Sequence, residues 1–303
     1  GGGKEADLGF LNKYSGKGKV KINSLSFGKT VLSNFVADVK FGKGVMTLAQ
    51  SASAWGGTIQ SNTSLSGGRG LANYTFNGSV KNIDLVKMAT MYGEKNPKLK
   101  GSFHGSLNLK GAGTSKASLK KYLNGSGAVR ITEGEIADLN VGKQVQLALA
   151  TVSALSGTKI LKEKFDRKFQ RITADISVGN GKINATNAVA VTSQMEMVGN
   201  GYADLDENLN FHGKVLVPPE SVNPAGIDLR DSTGKVPIPF QLTGTVSDPN
   251  LGLDITAFAA HVALKYAEKE LKKRILGEAA GQVIKPKKGG GIGIPIPNIP
   301  LPF

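Results

Sequence analysis

The sequence predicts a mostly β protein, an antiparallel meander built as two copies of one unit, with a few helices and a long helix near the C-terminus. Three observations carry this. The stretch ADVKFGKGVMTLAQSASA, from Ala37 to Ala54, returns 137 residues later as ADISVGNGKINATNAVAV from Ala174. In each copy an alternating run leads into a Gly-x-Gly turn (Gly42 to Gly44, Gly179 to Gly181), and a second alternating run follows. Alternation with period two marks a half-buried strand, and glycine accepts the positive φ of a tight hairpin. The correspondence then continues: Phe76 to Val80 answers Phe211 to Val215 at offset 135, and Leu107 to Gly111 answers Phe240 to Gly244 at offset 133. Small loop deletions produce such drift in a duplicated unit. Finally, glycine supplies 40 of 303 residues while aromatic content is 6%, a balance that suits many short strands and tight turns.

Five strands precede the first helix: Gly18 to Phe27, Val31 to Phe41, Val45 to Ala54, Thr58 to Ser66 and Leu71 to Lys81, separated by Gly28-Lys29, the Gly-x-Gly turn, Gly56-Gly57 and Gly67-Gly68. A short helix is expected over Ile83 to Tyr92, with Asn82 as N-cap, Gly93 past its end and Pro97 preventing continuation. Lys100 to Lys110 reads as a strand. Ser115 caps a helix over Lys116 to Leu123, stopped by Asn124-Gly125, and Gly127 to Glu133 is again a strand. From Val141 to Leu155 the residues Val145, Leu149, Val152 and Leu155 recur at helical spacing, an amphipathic helix able to pack on an edge or face of the sheet. The charged stretch Lys162 to Arg171 leads to the second copy, with strands Gln170 to Val178, Lys182 to Val191, Met195 to Leu205 and Leu209 to Val217. A loop holding Pro218, Pro219 and Pro224 precedes a last strand, Val236 to Val246.

After Ser247 to Asn250 a helix is expected from about Thr256 to Leu276, with two apolar stripes: Ile255, Phe258, Val262 and Tyr266 on one side, Leu264, Leu271 and Ile275 nearly opposite. Its first half therefore calls for apolar neighbours on two sides, which favours a helix packed into the protein's own core over a free membrane-surface helix. Packed at an end or mouth of the sheet, it would act as a plug or gate. The tail from Lys285 to Phe303 is Gly-rich and then alternates Ile or Leu with Pro, the composition of extended polyproline-like chain.

Lys and Arg exceed Asp and Glu by 38 to 23, a formal charge of +15, so a polyanion or an anionic membrane surface is a fitting partner. Nucleic acid is excluded by the lack of a stacking platform: Trp55 is the single tryptophan, and the phenylalanines fall in apolar alternation. There are no cysteines, hence no disulfide, thiolate-zinc site or thiol nucleophile. No run of eighteen apolar residues spans a bilayer, and the Gly1-Gly2-Gly3 start carries no signal peptide, so a fragment of a longer protein is expected. His104, His212 and His261 are too scattered for a metal centre, no carboxylate pair stands out for hydrolysis, and the Gly-x-Gly pairs lack the context of a phosphate loop. Neither catalysis nor a cofactor is expected. What the composition leaves over is apolar strand surface with few helices to cover it, which must pack on itself, on helices or on an apolar ligand. Lipid is the natural candidate.

The run Leu107-Asn108-Leu109-Lys110-Gly111-Ala112-Gly113-Thr114-Ser115, followed by Leu119, Leu123, Gly125, Val129, Ile131, Gly134, Ile136 and Leu139-Asn140-Val141, resembles the C-terminal module of the AsmA family. The ending Val236-Pro237-Ile238-Pro239-Phe240-Gln241-Leu242-Thr243-Gly244-Thr245, with Pro249 beyond, is similar to that module's last strand, so the resemblance covers roughly Gly16 to Asp254. It implies a Gram-negative envelope protein, anchored in the inner membrane by an N-terminal helix absent here. The periplasmic part would be an elongated, curved sheet forming a hydrophobic groove, related to bridge-like lipid transfer proteins and tied to outer-membrane homeostasis.

On that reading residues 1–126 form a first groove repeat and 127–254 a second, including the inserted helix 141–155. The C-terminal helix 255–277 and a Gly/Pro-rich tail 278–303 follow. The lipid-binding side chains are the inward alternates Phe35, Val39, Phe41, Met46, Leu48, Ile172, Ile176, Val178, Ile183, Met195 and Met197. The expected function is a periplasmic lipid-binding or lipid-transfer module supporting phospholipid movement toward the outer membrane. The alternative is a non-enzymatic assembly factor that binds an outer-membrane protein through its sheet edge or tail.

Overall fold

The computed structural model describes residues 5–67, 70–137, 141–156, 167–221, 227–246 and 248–282. They form one antiparallel sheet of thirteen strands, each paired to its neighbours in sequence. The strands are β1 (Gly16–Phe27), β2 (Thr30–Gly42), β3 (Val45–Ala54), β4 (Gly57–Ser66), β5 (Asn73–Asp84), β6 (Leu99–Ala112), β7 (Asn124–Ile136), β8 (Lys168–Gly179), β9 (Lys182–Val191), β10 (Glu196–Asp204), β11 (Leu209–Val217), β12 (Val236–Gly244) and β13 (Pro249–Leu253). Helix α1 (Leu85–Met91) joins β5 to β6, α2 (Lys116–Tyr122) joins β6 to β7, α3 (Val141–Ser156) joins β7 to β8, and α4 (Ile255–Gln282) follows β13. Thirteen strands at about 4.8 Å spacing make the sheet about 58 Å long. The polyproline-like tail, most of the charged stretch before Arg171, and Leu139-Asn140 lie outside the described residues.

The two hairpins of the repeat fold alike. Lys43 and Gly44 have φ of 53° and 75°, and Asn180 and Gly181 have 52° and 70°. Two successive positive φ values define the hairpin turn whose twist matches that of its strands. The repeat boundary expected at 126/127 falls inside β7, where residues 125–132 pair in continuous register with both β6 and β8. Asparagines with positive φ interrupt the ladders elsewhere: Asn34 in β2, Asn82 in β5 and Asn187 in β9 each sit where the register shifts. Such bulges bend a strand and raise its twist, which curves the sheet.

Four elements differ from the sequence expectation. Asn82 is not the cap of α1; its φ of 56° carries β5 through a bulge, Ile83 stays in the strand opposite Phe103, and Asp84 is the cap, Oδ1 accepting from the amides of Val86 (2.9 Å) and Lys87 (3.1 Å). Strand β7 starts at Asn124, directly after α2, so the residues expected to stop a helix already pair with Val178 and Lys110. A thirteenth strand occupies residues expected as loop; its proline sits at the first position, where a missing amide is tolerated. The fourth is α4. Phe258 and Val262 are buried, whereas Leu264, Tyr266, Leu271 and Ile275 are exposed, so only one of the two apolar stripes finds a core.

That core lies at the C-terminal end. Val145, Ala148 and Leu149 of α3 and Phe258 and Val262 of α4 press onto Val215, Val217, Val236, Ile238, Phe240 and Leu251 of β11–β13, joined by Ile227 and Leu229 from the β11–β12 connection. Toward β1 no long helix lies on the sheet among the described residues.

Candidate functional site: an apolar groove

Directly opposed residues of an antiparallel ladder point to the same side of the sheet. From β2 to β9, one such row reads Val39, Leu48, Thr63, Phe76, Leu109, Gly125, Val178 and Ile183. A second crosses all thirteen strands. It begins Val20, Ala37, Gln50, Ser61, Gly78, Leu107 and Gly127, and continues Ile176, Ala185, Gly201, Phe211, Leu242 and Leu251. Because it ends under the helices, the face that forms the closed core at one end is the face left open over the rest. The reverse face is polar: the row between these two runs Lys19, Asp38, Ala49, Asn62, Asn77, Asn108, Ser126, Ser177 and Asn184.

All of the sequence-derived candidates lie on the apolar face. Phe41 is opposite Met46, Phe35 is opposite Ile22 and two positions from Ala37, and Ile172 is opposite Ile131. Phe35, Val39, Phe41, Met46, Leu48, Ile172, Ile176 and Val178 are partly exposed and Ile183 is exposed. Met195 and Met197 are the correction: Met195 is buried in the closed core and Met197 packs against it, so the cover of α3 and α4 removes both from the open groove.

In the middle of the groove is an apolar cavity of about 370 Å³, lined by Ile59, Phe76, Val80, Phe103, Leu107, Val129, Ile176, Val178 and Ile183 among others. This lies in the range of small-molecule sites, ~300–1,000 Å³. Six of these residues were not singled out from the sequence, yet a signal was present in the triplets Phe76-Asn77-Gly78 and Phe103-His104-Gly105. The middle residue faces the polar side, and each ring lies over its glycine: a Cβ on Gly78 would collide with the Phe76 ring, and one on Gly105 would sit 3.0 Å from Cζ of Phe103. Glycine here makes depth for an aromatic wall.

Short helices close the rims. At one, Trp55 Nε1 donates to Met91 Sδ (3.4 Å) and stacks at a tilt on Tyr92, whose carbonyl accepts from Lys29 Nζ (3.3 Å). At the other, the Ser115 hydroxyl accepts from the Ser118 amide and donates to Glu5, which also accepts from the Ser118 hydroxyl and the Thr114 amide. These bonds, the one from Ser115 foremost, lower the Glu5 pKa from 4.5 to about 2. Burial, and secondarily the Glu5 charge, raise that of Tyr74, whose buried hydroxyl has no partner among the described residues. Lys116 and Lys120 meet Asp206 at 2.7 and 2.6 Å on the same rim.

His104, His212 and His261 stand apart on β6, β11 and α4, and no group of three or more potential metal ligands occurs among the described residues. No described helix is long and apolar enough to cross a membrane.

The fold and site define a single curved sheet carrying a half-open apolar groove. The AsmA family model matches residues 4–188, more than half of the chain, and the chain belongs to that family. The match takes in β1 to most of β9 and does not extend to the Val236 to Pro249 stretch on which the expected resemblance also drew. Comparison with curated proteins and with solved structures returns no match. The family is envelope-associated and generally non-enzymatic, with roles related to envelope lipids and assembly.

Proposed function

We propose that this chain is a lipid-binding module that carries acyl chains in its groove and supports phospholipid movement through the periplasm toward the outer membrane. The observation behind this reading is the row from Val39 to Ile183, apolar but for Thr63, which stays partly exposed at every strand from β2 to β9 and borders the apolar cavity. Exposed contiguous apolar surface on this scale is costly in water and marks a site that something apolar covers. A ladder of backbone hydrogen bonds holds the strands whether or not the face is filled, so lipid can slide along it without the sheet unfolding. The test is native mass spectrometry and solvent extraction of the purified protein. Stoichiometric phospholipid supports the reading; a lipid-free protein that takes up none from vesicles ends it.

A second reading, an assembly factor, draws on β1. It is the edge of the sheet, 12 residues long, with Val20 41% exposed and no strand on its outer side among the described residues. An edge of this length is a template for strand addition by an outer-membrane protein. Proline at Lys19, a residue whose side chain meets Asp38 on the polar face, distinguishes the two: it should weaken partner capture in the second reading and leave bound lipid unchanged.

A further inference from the structure

We propose that the distal half of α4 is a docking surface for an anionic membrane, independent of what fills the groove. The helix leaves the body of the protein after its second turn: Phe258 and Val262 are its buried anchors, and every residue from Leu271 to Leu276 is exposed. Leu264, Leu271 and Ile275 are 58%, 60% and 57% exposed. At 3.6 residues per turn they fall within about 40° of one another, a stripe continued by Ala260 and Ala267.

Charge decides the occupant. Between Leu264 and Leu276 the chain carries five basic residues, Lys265, Lys269, Lys272, Lys273 and Arg274, against Glu268 and Glu270. Lys272 and Arg274 flank the stripe, each about 80° from its centre, where a helix lying in a headgroup layer places its cations. Glu268, at the margin, is paired to Lys265 at 3.0 Å and adds no free negative charge. A second copy of the chain would bring these basic flanks together and repel. An anionic lipid surface neutralises them while the stripe enters the acyl boundary, and the chain's +15 charge adds long-range attraction. Because α4 roots on the closed end of the sheet, docking would hold that end against the bilayer.

The test is cosedimentation of the full chain with vesicles of equal parts phosphatidylglycerol and phosphatidylcholine, and with phosphatidylcholine alone. The expected result is binding to the first that weakens with salt. Replacing Lys272, Lys273 and Arg274 by Gln should lower partitioning on the order of a hundredfold, roughly fivefold per charge. Leu271→Ser with Ile275→Ser should also release the protein, and neither change should alter the melting curve or the lipid extracted from the groove, since all five side chains are exposed. A Leu271→Trp variant should blue-shift its emission on the anionic vesicles. Equal binding to both vesicle types, binding unchanged in the Gln or Ser variants, or a concentration-dependent dimer abolished by Leu271→Ser would each overturn the proposal, the last assigning the stripe to a second copy.

Discussion

Placing an aspartate on the apolar face separates groove from core, because one row of the sheet runs through both. Ile176 lies opposite Gly127 and Ala185, partly exposed, with the cavity in front of it. Ile176→Asp forfeits about half of the roughly 1.5–3 kcal/mol that full burial of such a side chain provides, and a further ~1 kcal/mol for an aspartate in a strand. The carboxylate reaches water through the open side, so the total is about 2 kcal/mol. Val39, beside side-chain-free Gly18, should behave alike. Ile238, on the same face but wholly buried under the helices, is the contrast. Ile238→Asp loses the whole burial term and adds several kcal/mol for a carboxylate with no partner, enough to consume much of a typical 5–15 kcal/mol of stability. The assay is thermal melting by circular dichroism with extraction of bound lipid. Val39→Asp and Ile176→Asp should keep the fold, with a melt lowered by roughly 4–8 °C, and lose lipid; Ile238→Asp should fail to fold. Unfolding of Ile176→Asp would refute the open groove. A folded Ile176→Asp with its lipid intact would show that the ligand sits elsewhere.

Phe258→Ala removes the main anchor of α4 and should cost about 3–5 kcal/mol, seen in hydrogen exchange as lost protection over β10–β13 while β2–β6 stay protected. Gly105→Leu fills the cavity floor only if the Phe103 ring swings aside, so it should lower the melt somewhat and halve or abolish lipid binding; a full lipid load would show that the cavity is not on the lipid path. The Glu5 carboxylate has its pKa lowered in the folded state, so its contribution is complete above 4.5 and is lost as pH falls toward about 2. Amide exchange around Ser115 should therefore accelerate in that window, and Glu5→Gln should flatten the response, leaving the part due to Asp206, which titrates over a similar range.

The meander was readable because alternation and turn glycines act locally: Gly-x-Gly at 42–44 and 179–181 fixes two hairpins and, through them, which side chains share a face. Bulges were less legible. Asn82 resembles a helix cap in sequence, and only the neighbouring strand, which holds Ile83 opposite Phe103, makes its positive φ a bulge within β5. The open and closed parts of the face were not separable either. Met195 and Ile176 sit in similar alternating runs, and what distinguishes them is whether α3 and α4 come down on that stretch. The second stripe of α4 read as a demand for core because a helical wheel shows where apolar residues lie and not where the helix leaves the body.

Why the groove is open where it is follows from helix length. Seven residues at 1.5 Å rise make α1 and α2 about 10 Å long, whereas β5, β6 and β7, with 12, 14 and 13 residues, run about 40 Å. A helix that short can cap the rim where its strands turn and cannot cross the face, so among the described residues no long helix covers the apolar alternates of β2–β9. Helix α3, with 16 residues and about 24 Å, does reach across, and α4 completes the roof over β11–β13. An inserted segment of two or three extra turns would not change the strands, their register or their pattern of alternation. Lengthening α2 with apolar residues to the size of α3 should therefore convert open groove into closed core, raising stability and excluding lipid, which makes the two short connections as decisive for function as the side chains lining the groove.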